Sequence, residues 1–261
     1  MKPVPFSVLK FLWGLQPLRG SRISGALLVL AIDTCGPTGS VALARLAPEQ
    51  ISPRISLLGE SELAGRTYSA TLISSIGELL AAASARLAEL HSIVVVNGPG
   101  SFTGVRVGLS AAKGLAEGAS LPVLAVSRLE VLAFKAAAPA AALDAHRGEI
   151  FLRIGEAGEP GRELLANRDE LASIVPPATV AICDDGAAKI FEQAWPALPL
   201  IRVAAPAAAD ALRLCAPRLA LGEFAGQFPD LALLDGHYLR RSDAEIFGGR
   251  SSETGAPPRS A

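Results

Sequence analysis

The sequence predicts an α/β fold of two similar lobes, the second a degenerate copy of the first. Three features carry that reading. Continuous apolar runs rich in branched residues, such as Leu27–Ile32 and Ile93–Val96, have the length and composition of buried strands. Between them, Thr67–Leu90 switches to apolar spacings of three and four, the period of one helix face. The order of strand, turn and returning strand, then strand, turn and helix, recurs in the second half.

Taken along the chain, Leu27–Ile32 ends at Asp33-Thr-Cys-Gly-Pro-Thr-Gly39, a turn by composition, and Ser40–Leu46 returns as the next strand. Ile55–Leu63 supplies a third strand. In Thr67–Leu90, Leu72, Ile76, Leu79, Leu80, Ala83 and Leu87 share one face of a long helix. The outer face is small, with Ser69, Ala70, Ser74, Ser75, Ala81 and Ala82, so the helix either admits a partner closely or is buried centrally. Ile93–Val96 leads into a Gly-rich turn and a helix from about Thr103 to Gly118, and Leu121–Val126 is the following strand. Ala140–Asp144 with Arg147–Ile154 then repeats the opening strand, Asp33 and the return strand. Thr179–Cys183, Asp184-Asp-Gly186 and a following helix repeat Ile93–Asn97 with its turn and helix. The match lies in the order of elements more than in the letters, so one continuous α/β domain stands beside the duplicated reading. The lobes are placed at 27–126 and 127–247. Residues 1–26 read as an N-terminal extension, disordered or upstream of the true start, and 248–261 as a disordered tail.

Half of the 261 residues are hydrophobic and 19% are charged, which supports a sizeable core. The formal net charge of −1 argues against nucleic-acid binding by a broadly basic surface. Cys35, Cys183 and Cys215 are far apart and odd in number, which fits a reducing compartment and no disulfide framework. His91, His146 and His237 form no HxxxH or HExxH pair, so a dedicated metal site is not expected. No apolar run is long enough to span a bilayer.

Two constellations could carry chemistry. Asp33, at a strand end before a Gly-containing hairpin with Thr34 and Ser40, could hold a metal-bound water while backbone N–H groups meet phosphate. It could equally cap its own turn, and the loop has no Lys or Arg to compensate phosphate charge. The second is Asn97-Gly-Pro-Gly-Ser-Phe-Thr-Gly-Val-Arg106, between a strand and a helix. Gly98 and Gly100 permit positive φ, Pro99 stiffens the turn, Ser101 or Thr103 can cap the helix, and Gly104 allows close backbone approach. Its position suits an anion on a helix N-terminus or a tight structural turn. It is neither a Walker A loop, since Val105 rather than Lys follows Gly104, nor a GxGxxG fingerprint. Asp144, Glu149, Asp184 and Asp185 have no spacing that marks an acid–base pair, and no nucleophile elbow is present.

Together, Leu30-Ala-Ile-Asp-Thr34, the Asn97–Arg106 string, Leu143-Asp-Ala-His-Arg-Gly-Glu149 and Tyr238-Leu-Arg240 resemble the TsaB family. That family is a bacterial subunit of the complex that makes threonylcarbamoyladenosine beside the tRNA anticodon. The resemblance covers roughly Leu27 to Ile246, and the string with Gly98, Pro99, Gly100, Ser101, Phe102, Thr103, Gly104 and Arg106 is its most specific part. It implies a duplicated actin-like ATPase (ribonuclease H-like) fold with no catalytic residue, metal or cofactor of its own. The loop at Asp33, Thr34 and Ser40 would be a vestigial nucleotide loop. The paralogous TsaD transfers the threonylcarbamoyl group with an HxxxH pair; Arg66-Thr-Tyr-Ser-Ala-Thr-Leu72 lacks one. Relatives often carry a His near position 68, where this chain has Tyr68. The implied role is a cytoplasmic scaffold that pairs with TsaD, with TsaE joining the assembly, and that forms a homodimer when alone. Contact with tRNA would be only indirect. The interface would use the two N-terminal-lobe helices, with Ser69, Leu72, Ile73, Ile76 and Ala82. The alternative from another class is a stand-alone ATP-binding enzyme of the same fold, such as a small-molecule kinase.

Overall fold

The structure, a computed structural model, describes residues 25–47, 53–65, 67–155, 161–222 and 231–239. Most of the N-terminal extension, the tail from Gly248, and Arg240 of the last motif lie outside the described residues.

An apolar run without polar alternation can fold as a strand only if both its faces are covered. That is the situation of β1 (Leu27–Asp33), every residue of which is buried at the centre of the first sheet. β2 (Thr38–Ala47) returns antiparallel, with Leu27 opposite Leu46 and Asp33 opposite Ser40. β3 (Arg54–Ala64) is antiparallel to β2 and forms an edge with most residues at least partly exposed. β4 (Ser92–Val96) lies parallel to β1 on the other side, and β5 (Val123–Val126) lies parallel to β4. The order is β3-β2-β1-β4-β5.

The second sheet has β6 (Ala140–His146), β7 (Glu149–Ile154), β8 (Arg162–Asn167), β9 (Val180–Ile182) and β10 (Leu200–Arg202), ordered β10-β9-β6-β7-β8. β6–β7 and β7–β8 are antiparallel, while β6–β9 and β9–β10 are parallel. With β6 matched to β1, order and directions repeat those of the first sheet, so the duplicated reading holds over the single continuous domain. The copy is reduced: β9 and β10 have three residues each against five and four in β4 and β5.

Helices α1 (Tyr68–Ala82) and α2 (Phe102–Ala119) touch each other on one face of the first sheet. The Cγ2 of Ile32 stands against Gly108 of α2, so residues of alternate parity in β1 face the opposite side. That side is covered by α6 (Ala208–Ala220), whose Ala208 N–H donates to Ser40 Oγ at 2.8 Å. α6 follows β10 in sequence yet packs on β1, β2 and β4; α3 (Arg128–Ala136) follows β5 yet packs on β6, β7 and β9. With the lobes divided at 126/127, α3 therefore stays on the sheet of its own lobe, and α6 is the helix that the second lobe lends to the first sheet. Lys135 of α3 and Asp210 of α6 pair at 2.7 Å where these helices meet. The remaining helices are α4 (Arg168–Leu171), one turn where the first lobe has α1, and α5 (Asp185–Ala194).

The expected long helix over Thr67–Leu90 is corrected. α1 stops at Ala82, because Ser84 adopts φ 52° and closes the end through Ser84 N–H to Ala81 O and Ala85 N–H to Leu80 O. These bonds have the Schellman pattern, usually marked by glycine. A serine in that place gives the sequence no stop signal. A separate 3₁₀ turn, Leu87–Glu89, follows.

Candidate functional site

The two motif loops of the first lobe meet at the carboxyl ends of β1 and β4. Asp33, only 1% exposed, turns its Oδ1 back to accept the Cys35 N–H at 2.8 Å, and Arg128 Nε lies 3.8 Å from its Oδ2. Burial pushes the Asp33 carboxyl above the usual carboxylate range, outweighing Arg128 and the Cys35 N–H, which pull it down. At that distance Arg128 Nε makes no hydrogen bond, so its compensation is purely coulombic. Burial also raises the Cys35 thiol well above its ordinary value, and the Asp33 charge adds to that; the thiol donates to Val96 O. The second lobe repeats the turn: Asp144 Oδ1 accepts the His146 N–H at 2.7 Å, two residues on, as Asp33 does.

The Asn97–Arg106 loop closes over this hairpin. Gly98, with φ 114°, precedes a cis peptide bond to Pro99, and Gly100 lies against Cys35 O. Ser101 N–H donates to Cys35 O at 2.8 Å, and Ser101 Oγ caps α2 by accepting the Gly104 N–H at 3.2 Å. Gly104 and Gly108, one helical turn apart, let Thr34 sit against α2. A Cβ at Gly104 would overlap Thr34 O, and one at Gly108 would overlap Thr34 Oγ1, which itself donates to Gly104 O at 2.6 Å. Tyr68, buried and with its hydroxyl pushed up to about 12 first by burial and then by Asp33, donates to Gly36 O at 2.7 Å. The departure at position 68 thus has a structural use: the phenol ties α1 to the Asp33 hairpin.

Each side chain expected in the nucleotide loop has a place within the chain. Asp33 caps its own turn, Thr34 is fully buried under α2, and Ser40 caps α6 from the other lobe. The N–H groups of Cys35, Ser101, Gly104 and Val105 all donate within the chain. Asp184 caps α5 through Ala187 N–H and Asp185 pairs with exposed Arg202, so those carboxylates are turn and surface groups. Among the described residues, no three His, Cys, Asp or Glu side chains come together as a metal site.

The segment 231–239 docks on the same loop, a contact the sequence reading missed. His237 N–H donates to Asn97 O at 2.7 Å, and Asn97 Nδ2 donates to Asp235 O at 3.3 Å. Tyr238 and Phe102 rings lie 5.2 Å apart, with the Arg106 guanidinium 3.7 Å over Phe102. The available signal was the pairing of two motif strings, Gly98–Arg106 and Tyr238-Leu-Arg240, far apart in one chain.

Beside the loop, α1 and α2 frame an open, largely apolar groove of about 610 Å³ that includes Tyr68, Ser69, Leu72, Ile73, Phe102 and Arg106. The five residues expected at an interface divide. Ser69 and Ile73 are exposed at the groove, and Ile73 is 56% exposed despite being apolar. Leu72 and Ile76 are buried in the first core, because they carry the inward stripe of α1; only Leu72 reaches the groove floor. Ala82 is exposed, but nine residues beyond Ile73 it lies about half a turn around the helix and off the groove.

Comparison with known proteins agrees with these features. The family described as TsaD, tRNA N6-adenosine threonylcarbamoyltransferase, matches residues 61–164. The tRNA threonylcarbamoyladenosine biosynthesis protein TsaB of Haemophilus influenzae is 37% identical over 131 residues, 48% of this chain and 52% of its own. That of Escherichia coli is 33% identical over 129 residues, 47% of this chain and 52% of its own. The chain spans about half the length of the curated relatives it matches. A crystal structure from Pseudomonas aeruginosa, of a protein described as similar to peptidase YeaZ, shares 28% identity with a TM-score of 0.63. It matches over 82% of this chain and 100% of its own, and YeaZ is another name for TsaB. The motif strings and both sets of relatives make the chain similar to TsaB proteins, in sequence over about half their length and in fold over a whole solved chain, and the repeated sheets give it the duplicated actin-like ATPase fold.

Proposed function

We propose that the chain is a non-catalytic TsaB subunit, supporting a TsaD partner as it transfers a threonylcarbamoyl group to the adenosine beside the tRNA anticodon. The observation that carries this reading is the likeness to TsaB, in sequence over half the relatives' length and in fold over a whole chain of YeaZ from Pseudomonas aeruginosa. The chain acts as a scaffold. It binds one of TsaD's conformations better than the other and so shifts an existing equilibrium. The groove between α1 and α2 receives the partner, TsaE joins through the complex, and a homodimer forms over an overlapping surface when the partner is absent. The tRNA is handled by TsaD, which fits a net charge of −1 here. A cytoplasmic location accompanies that role. Among the described residues no helix is long and apolar enough to cross a membrane.

The kinase reading is not favoured, since the relatives matched are TsaB proteins, and the Cys35 N–H of the Asp33 hairpin and the Ser101, Gly104 and Val105 N–H groups of the adjoining loop donate within the chain. Reconstitution tests the proposal. The purified chain alone modifies no tRNA, and adding it to TsaD and TsaE with substrates restores threonylcarbamoyladenosine. Equal product without the chain, or product from the chain alone, would sink the reading. Tight calorimetric binding of Mg-ATP by the isolated chain would favour the kinase instead.

A further inference from the structure

We infer that Leu231–Leu239 is a latch that pins the two sheets together and completes the rim of the α1–α2 groove. A protein docked in the groove and the closed latch then stabilise one another. The second half of this rests on the partner reading above; the first half does not.

The segment straddles both cores. Leu231 and Leu234 pack against the first, and Leu239 packs against the cluster formed by α3 and the second sheet. Between these anchors, one residue is held from both lobes. The His237 N–H is bonded to Asn97 O, at the end of β4, while its ring Nε2 lies 2.8 Å from Glu163 Oε2 on β8. The Glu163 side chain is only 8% exposed and is fixed by the Ser127 hydroxyl at 2.7 Å and by Arg153 at 3.3 Å. A carboxylate held this way is a rigid acceptor, because its own rotamer is already set. Gly98 is also needed here, since a side chain at its Cβ position would press on His237 O at 2.9 Å.

Tyr238 carries the latch to the groove. Its ring rests beside Phe102 and its hydroxyl accepts from Arg106 Nε at 3.4 Å, and both of those residues line the groove. Phe102 is 44% exposed and Tyr238 38%, so the tilted ring pair presents apolar surface rather than burying it. A partner that covers Phe102 and Arg106 in these positions binds the latched form better than the released one. By linkage, the latch must then raise the partner's affinity by the same factor.

Hydrogen exchange on the full chain, with and without TsaD, reads both halves. In the free wild-type protein the His237 amide exchanges far more slowly than an unstructured amide. Tyr238→Ala speeds it about tenfold and Glu163→Gln about fivefold, while the β1 amides keep their protection and show that the variants are folded. TsaD slows His237 exchange in the wild type, and Tyr238→Ala weakens TsaD binding about tenfold. Fast exchange at His237 in the free wild type, or no change in either variant, overturns the latch. Unchanged TsaD affinity in Tyr238→Ala overturns its part in docking. If the wild-type chain does not pair with TsaD at all, the functional reading and the docking half fail together, and exchange in the free chain still decides the latch.

Discussion

Thr34 is where single residues matter most. It lies between the backbone of its own hairpin and a helix stripped of side chains at Gly104 and Gly108. Replacing glycine by alanine inside a helix normally gains about 1 kcal/mol from propensity alone. At Gly104 that gain meets Thr34 O, a backbone atom that cannot rotate away. Gly104→Ala is therefore expected to lower stability by about 2 kcal/mol net, through overpacking. Gly114→Ala, on the same helix with open space around it, is expected to raise stability by about 1 kcal/mol. Urea midpoints at unchanged m-value make the comparison, and shifts of the same sign would remove the Thr34 contact as the reason for the glycine. That Gly104 permits a close approach is readable from its place in the loop. Which atom approaches is not, because Thr34 is seventy residues away in sequence.

At the scale of elements, α1 does two jobs on two faces. Leu72, Ile76, Leu79 and Leu80 of its inward stripe build the first core, as the spacing of three and four predicts, and Tyr68 joins them. Its other large aliphatic residue, Ile73, faces water at the groove, where an isoleucine gains nothing from burial within this chain. Ile73→Arg is expected to leave the unfolding midpoint within about 0.5 kcal/mol of wild type, since the side chain is exposed. The same change is expected to weaken pairing with TsaD at least about tenfold, by placing a charge where apolar surface is covered. Gel filtration or calorimetric titration of the pair checks this, and wild-type affinity would take the groove out of the interface. Ala82→Arg, on the opposite side of α1, serves as the control with little effect. Periodicity alone placed Ser69, Leu72, Ile73, Ile76 and Ala82 on one helix. It could not say which face stays uncovered, since that depends on where α2 lies.

For the whole molecule, the crossing of α6 from the second lobe onto the first sheet makes the first lobe depend on the second. The face of β1 and β2 on the Ser40 side is covered by α6, which comes from the far end of the chain. A fragment of residues 27–126 contains the whole first sheet but leaves that face bare. It is expected to be compact without fixed packing, binding a hydrophobic dye and giving a poorly dispersed amide spectrum, whereas the full chain gives a dispersed one. A dispersed spectrum and cooperative unfolding from the fragment would show that the lobes fold independently. Neither α3 nor α6 was read from the sequence. α6 is rich in alanine and carries Pro217 near its end, a residue that normally signals a stop.

The sequence by itself determined the five strands of the first sheet, the three inner strands of the second, the repeated order of elements and the family resemblance; the edge strands β8 and β10 were not legible in it. The legible features rest on local patterns, because apolar runs, turn residues and motif strings lie within a few consecutive residues. The tertiary structure decided what each motif is for. Asp33, Thr34 and Ser40 became a turn cap, a helix contact and a cap for α6, and Tyr238 came to rest on Phe102. Those roles join residues as much as 168 positions apart, and a contact at that range is set by how helices cross between lobes, which no local pattern encodes.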